Sequence, residues 1–171
     1  MKTQSACRSF AANADAGAEI LILGSMPGAE SLRQRQYYAF RHNLFWRLMG
    51  EFFDFAPDAP YAERLAILRE HHIALWDVFA ACDRAGSLDT AIRNGVPNDI
   101  PGLLKKCPRI RKICCNGQTA GKSLCRFFPK LAPMTVILPS TSPTAAGIPP
   151  TMTYVFMRSR SAACSVSGRG S

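Results

Sequence analysis

Amide, hydroxyl and glycine residues carry the chemistry that can be read from this chain. They gather in three short loops, Gly24-Ser25-Met26-Pro27-Gly28, Asn116-Gly117 and Pro139-Ser140-Thr141-Ser142-Pro143. A fourth segment, Asn43-Leu44-Phe45-Trp46, adds an amide beside aromatic rings, and Tyr37-Tyr38 lies just upstream. Glycine lets backbone N–H groups approach a ligand closely because no Cβ intervenes. Nucleophile–base pairs, paired carboxylates near these loops and the phosphate-loop pattern G-x-x-x-x-G-K-[ST] are all missing from the sequence. His71 and His72 fall at a predicted helix end, where a solvated role suits them. Residues of these types hydrogen-bond and stack. They suit recognition of a planar base better than acid–base attack on a peptide or sugar polymer.

The surrounding pattern supplies elements to position them. Ile20-Leu21-Ile22-Leu23 is a short apolar run ended by glycine and reads as a buried strand, 19–23. Strands are also predicted at 73–78, 110–115 and 134–138. Leu44, Phe45, Leu48, Met49, Phe52 and Phe53 recur at helical spacing, which predicts a helix over 43–54 with Asn43 as N-cap. Further helices are predicted over 60–71, from Ser87 to Ile92, from Asn98-Asp99 to Lys106, and over 118–127. The long loop 24–42 looks briefly helical only at 31–36, and its two Tyr and one Phe predict a packed loop. Strands alternating with helices imply a parallel sheet covered on both faces. The loops after the strands would then share one rim, where open α/β sheets collect ligands.

Composition bounds the rest. The 171 residues, 47% hydrophobic with mean hydropathy near zero, make one domain with a real core. No run approaches the ~20 apolar residues of a membrane span, and no secretory signal is evident, so a cytoplasmic protein is expected. All 12 acids lie between Asp15 and Asp99, while residues 100–171 hold eleven Lys/Arg and no acid. A one-sided positive field attracts a polyanion, nucleic acid above all. The seven cysteines show neither C-x-x-C nor a nearby His at zinc spacing, and read as reduced thiols, most of them in the core. Residues 1–17 read as a flexible N-terminal arm and 18–148 as the domain. Residues 149–171, with Pro149-Pro150, five Ser and no acid, read as a disordered tail.

In order and spacing these segments resemble a known family. Leu23-Gly24-Ser25-Met26-Pro27-Gly28, Gln36-Tyr37-Tyr38-Ala39, Asn43-Leu44-Phe45-Trp46, Asn116-Gly117 and Leu138-Pro139-Ser140-Thr141-Ser142-Pro143 look like the hypoxanthine (deoxyinosine) DNA glycosylases. These form a branch of the uracil-DNA glycosylase superfamily. The similarity runs from about residue 18 to residue 148. It implies a three-layer α/β/α sandwich with a central, mainly parallel four-stranded sheet. It also implies monofunctional, metal-free and cofactor-free excision of a deaminated base from DNA, leaving an abasic site. The alternatives are uracil or mismatch-type excision and a catalytically inactive nucleic-acid-binding relative.

The resemblance also distributes roles. Asn43 matches the family's catalytic asparagine, and Phe45 the phenylalanine that stacks on the flipped base, with Trp46 turned into the core. Gly24, Met26, Pro27, Gly28 and Tyr38 would shape the base pocket, and Asn116 would read the base's Watson–Crick edge. Ser25 stands where relatives often have Asp or Asn; it is assigned to catalysis, although a lone hydroxyl cannot act as general base. Gly28 replaces a Tyr that excludes larger bases, and Leu138 a His that serves uracil enzymes, so a purine is the expected substrate. Ser140, Thr141 and Ser142 would touch DNA phosphates, and Lys122, with Arg126 and Lys130, would add charge from the following helix. The partner expected is damaged DNA, bound by a monomer, with no membrane. Two stretches depart from the family pattern, Phe40-Arg41-His42 and the C-terminal tail.

Overall fold

A computed structural model describes residues 5–143. Its elements are β1 (Ser5–Arg8), β2 (Ile20–Gly24), α1 (Ala29–Gln34), α2 (Phe45–Phe53), α3 (Tyr61–Glu70), β3 (Ile73–Asp77) and β4 (Phe79–Arg84), followed by β5 (Arg93–Pro97), α4 (Ile100–Lys106), β6 (Lys112–Asn116), α5 (Gln118–Phe127) and β7 (Thr135–Leu138). Short 3₁₀ turns occupy Asp89–Ala91 and Pro129–Met134.

The main sheet has the order β3-β2-β6-β7, and all three pairings are parallel. All five residues of β2 are buried, as a central strand covered on both faces requires. Alternation splits the strands between two cores. Leu21, Leu23, Ala74, Ile113 and Cys115 pack with Ile100 of α4 and with Ala120 and Leu124 of α5. Ile20, Ile22, Ile73, Leu75 and Cys114 pack with Phe45, Trp46 and Met49 of α2 and with Leu68 of α3. The result is the expected three-layer α/β/α sandwich. Register aligns the strand ends: Gly24 lies opposite Asp77, and Asn116 opposite Leu138.

The structure differs from the sequence reading at its second sheet. β1, β4 and β5 form an antiparallel sheet in the order β1-β4-β5, and none of the three was expected. From Ser5 onward the predicted arm is therefore tied down. Cys7 is buried opposite Cys82, and Asn13 bridges to Leu75 through two 2.9 Å backbone bonds. The predicted helix from Ser87 to Ile92 is only the 3₁₀ turn Asp89–Ala91. The helix foreseen at 43–54 begins at Phe45 behind Leu44. Asn43 still serves it, because its Oδ1 accepts the Phe45 N–H at 3.0 Å. Asp99 caps α4 by accepting from Gly102 N–H at 3.0 Å. The tail at 149–171 lies outside the described residues.

Candidate active site

A cavity of about 690 Å³ opens at the carboxyl ends of β2, β3, β6 and β7. Its first wall is the turn 24–28, which has room for no side chain at its start. A Cβ on Gly24 would stand 2.7 Å from Asp77 Oδ1 and 3.1 Å from Tyr38 Oη. The turn is held from behind. The buried Arg84 guanidinium donates to the carbonyls of Met26 and Pro27, while Val78 and Phe79 N–H groups donate to the carbonyls of Gly24 and Ser25 at 2.8 and 3.0 Å. Gly28 is less constrained: a Cβ there would make only ordinary contact with Ser87, so its lack of a side chain leaves space at the cavity edge.

The aromatic wall differs from the expectation. Phe45 is 1% exposed and does not reach the cavity. Tyr38 lines it instead and lies over Phe45, ring centroids 4.0 Å apart and nearly parallel. Phe45 thus lies behind Tyr38, which stands at the cavity. Tyr38 has φ 54°, a left-handed conformation rare for an aromatic residue and typical of strained functional positions. Its hydroxyl is buried beside the Asn116 amide and meets no partner at ordinary hydrogen-bond geometry among the described residues.

The two asparagines do different work. Asn43 lines the cavity, and Phe45 N–H fixes its Oδ1. Its Nδ2 donor consequently remains for a ligand. Asn116 also lines the cavity, but Thr141 engages both ends of its amide: Asn116 Nδ2 donates to Thr141 Oγ1, and Thr141 N–H donates to Asn116 Oδ1, each at 2.9 Å. These two bonds tie Asn116 to the last loop at the cavity wall. Thr141 is fully buried, and its carbonyl accepts Leu44 N–H at 3.1 Å, which fastens that loop to the entry of α2. Ser140 and Ser142 line the cavity, with Ser142 N–H donating to Ser140 Oγ at 3.1 Å. Gly117, at φ 100°, makes the sharp turn into α5 that lets Gln118 and Thr119 reach the rim. Lys122 is exposed on α5 and lies outside the lining.

Two acids unnoticed in the sequence complete the site. Asp77, 3% exposed, ends β3 beside Gly24, and its Oδ2 has no partner among the described residues. Burial foremost, and then the neighbouring Asp89, push its carboxyl up to about 8 against the opposing pull of Arg84. It is therefore a neutral hydrogen-bond donor at neutral pH. Asp89 reaches the cavity from the 3₁₀ turn and accepts the Ser25 hydroxyl at 2.6 Å. Asp77 carried a signal, as the acid that closes an apolar strand on the same rim as the loops. Asp89 carried none.

A sequence model of the uracil DNA glycosylase superfamily matches residues 12–154, a span that includes every segment of the cavity wall. The chain belongs to that superfamily. Over 139 residues it is 43% identical to a protein of Methanosarcina acetivorans named hypoxanthine DNA glycosylase, covering 79% of this chain and 85% of that protein. A Methanosarcina barkeri protein of the same name is 39% identical over 109 residues, covering 63% of this chain and 69% of its own. A solution NMR structure from M. acetivorans, provisionally named a uracil DNA glycosylase, superimposes with a TM-score of 0.70 at 42% identity, covering 81% of this chain and 86% of that one.

Proposed function

We propose that this member of the superfamily is a monofunctional DNA glycosylase that removes hypoxanthine from deoxyinosine and leaves an abasic site. The observation that carries the reading is the donor-rich cavity beneath Tyr38. A planar ring can lie on the Tyr38–Phe45 stack, while Asn43 Nδ2, the neutral Asp77 carboxyl and Tyr38 Oη supply hydrogen-bond donors. Hypoxanthine presents acceptors at O6, N7 and N3, whereas uracil is smaller and has only its two carbonyl oxygens. A base inside a duplex is unreachable, so it must be extruded into this cavity.

As the C1′–N9 bond stretches, negative charge collects on the leaving base and positive charge on the sugar. Donors already aimed at the base stabilise that charge without reorganising, and this electrostatic effect carries the rate. Asn43 is the residue assigned to it. Ser140 and Ser142 at the cavity edge are assigned to the DNA backbone, and Asn116 to holding their loop. Gly28 leaves the edge open to a purine, and Leu138, 3% exposed, offers no group to an anionic uracil oxygen.

The protein is further proposed to act in the cytoplasm as a monomer. No helix among the described residues is long and apolar enough to cross a membrane. The exposed large apolar side chains there, Phe40, Leu88, Val96 and Ile137, lie on four separate segments.

Duplex oligonucleotides carrying one deoxyinosine, deoxyuridine, deoxyxanthosine or no lesion, treated with the protein and then with alkali, test the reading. Cleavage is expected at deoxyinosine only after alkali, with uracil released more slowly. Asn43→Ala should lose on the order of 100-fold or more in excision, the loss typical of removing one charge-stabilising donor, while still binding DNA. Equal release of uracil and hypoxanthine from matched duplexes overturns the purine assignment.

A further inference from the structure

Hydrolysis at a sugar carbon is speeded by a group that holds water by its hydrogens, and the turn 24–28 contains no carboxylate. A carboxylate nevertheless reaches that turn from another loop. Ser25 is 8% exposed, and its Oγ–H donates to Asp89 Oδ1 at 2.6 Å across 64 residues of sequence. That is the short distance of a charge-assisted bond. The contact is built rather than incidental, because Ala29 N–H also donates to Ser87 Oγ at 2.9 Å, pinning the same two loops at a second point. Both Ser25 and Asp89 line the cavity.

A serine hydroxyl has one proton and two acceptor sites. With its proton committed to Asp89, Ser25 can only accept hydrogen bonds from whatever else enters the cavity. A water beside it must donate, which leaves that water's lone pair facing outward as a nucleophile. We propose that Ser25 and Asp89 form the water-activating pair of this site, Ser25 touching the water and Asp89 acting through it as the positioning and proton-accepting partner.

The proposal rests on the glycosylase reading and adds the nucleophile to it. As the C1′–N9 bond breaks, its electron pair leaves with the base, and the water oxygen bonds to C1′. The water's proton passes to Ser25 Oγ while the serine proton moves to Asp89, which releases it to solvent. The base takes a proton from solvent, so one water is consumed and one free base and one abasic sugar are formed. Asp77 of β3, Cys82 of β4 and Tyr38 from the loop before α2 face Asp89, and Arg84, Asp83, Cys7 and Cys115 surround those groups in turn. The pair works only with Asp89 as a carboxylate, because a protonated carboxyl cannot take up the serine proton.

Single-turnover release of hypoxanthine from a deoxyinosine duplex, followed from about pH 4.5 to about pH 8, tests the pair with wild type, Asp89→Asn, Ser25→Ala and the double variant. The wild-type rate should fall on the acid side. Each single variant should be slower by about 100-fold, the range of general-base effects, and should lose that acid limb. The double variant should be no slower than the slower single one, as expected of residues that act as a unit. Affinity for the duplex should not change.

Asp89→Asn that stays within about threefold of wild type overturns the pair. So does a slow Asp89→Asn that keeps the wild-type acid limb, since Asp89 would then only brace the turn. If circular dichroism shows Asp89→Asn unfolded, Ser25→Ala decides alone: a lost limb supports the pair and an unchanged limb overturns it. Wild-type protein that releases no base overturns the glycosylase reading itself, and the pair falls with it.

Discussion

A carboxyl buried as completely as that of Asp77 makes stability depend on pH in an unusual direction. Its folded value of about 8 lies above the usual ~3.9 of an unfolded aspartate. Between those values the folded chain holds a proton that the unfolded chain has released, so stability falls as pH rises. The contribution is complete below about pH 4 and is lost as pH passes about 8. Asp77→Asn is a neutral replacement of the same shape. It should melt at least about 5 °C above wild type at pH 9, since 1 kcal/mol moves a chain of this size by about 2–4 °C. At pH 4 the two should melt together, and thermal melts at both pH values check this. Excision is expected to fall, because the carboxyl also lines the cavity. At this scale Gly24, Ser25, Tyr38 and Asn43 were legible because they lie in compact motifs beside a strand or helix. Asp77 and Asp89 were not, since only strand register brings the one to Gly24 and a turn far along the chain the other to Ser25. Phe45 shows the opposite failure: its helical spacing already placed it in the core stripe, and Tyr38 takes the cavity face.

Among the elements, the small antiparallel sheet does the least conspicuous work. Its strand β4 ends in Arg84, which reaches the carbonyls of Met26 and Pro27 and so fixes the turn that faces the ligand. Arg84→Met keeps the bulk but strands those carbonyls. It should destabilise the fold by about 3 kcal/mol, the scale for breaking a buried charged network, and urea unfolding measures it. Activity should drop further than stability explains, because the turn loses its clamp. Most of the parallel strands, with α2 and α5, were readable because short apolar runs or a helical stripe mark them. β1 and β5 have neither. β5, Arg93-Asn94-Gly95-Val96-Pro97, is largely exposed, and its pairing with β4 carries register shifts. Gly95 is admitted there because a Cβ would fall 2.4 Å from the Phe79 ring. Such strands are specified by the partner they join more than by their own pattern.

Among the described residues, the positive charge beyond residue 100 is less one-sided in space than in sequence. Arg109 and Arg111 both reach Glu19, at 2.8 and 3.2 Å, beside the entry to β2 and therefore at the end of the sheet away from the cavity. Lys122, by contrast, lies on α5, whose first turn forms part of the cavity rim. Binding to undamaged duplex, titrated against salt, should separate them. Lys122→Ser is expected to weaken affinity and reduce the slope of log K against log salt by about 1, the value for one phosphate contact. A double Arg109→Ser, Arg111→Ser variant should leave the slope unchanged. The sequence revealed how many charges there are and their order along the chain. Their distribution over the two ends of the sheet depends on strand direction, which becomes definite only once the parallel pairing is known.

The ring stack beneath the cavity has an optical consequence. Tyr38 lies face to face on Phe45, and Phe45 meets Trp46 edge-on at 5.0 Å, with the Trp46 indole N–H donating to Tyr37 O at 2.8 Å. The chain's other tryptophan, Trp76, immediately precedes Asp77 in β3, and its N–H donates to Phe10 O at 2.9 Å. A base seated on Tyr38 would extend a column of rings that ends in one of the only two strong fluorophores the protein contains. Capture of the base would thereby be coupled to the emission of an unlabelled molecule, and the moment of its arrival could be followed separately from the breaking of its bond.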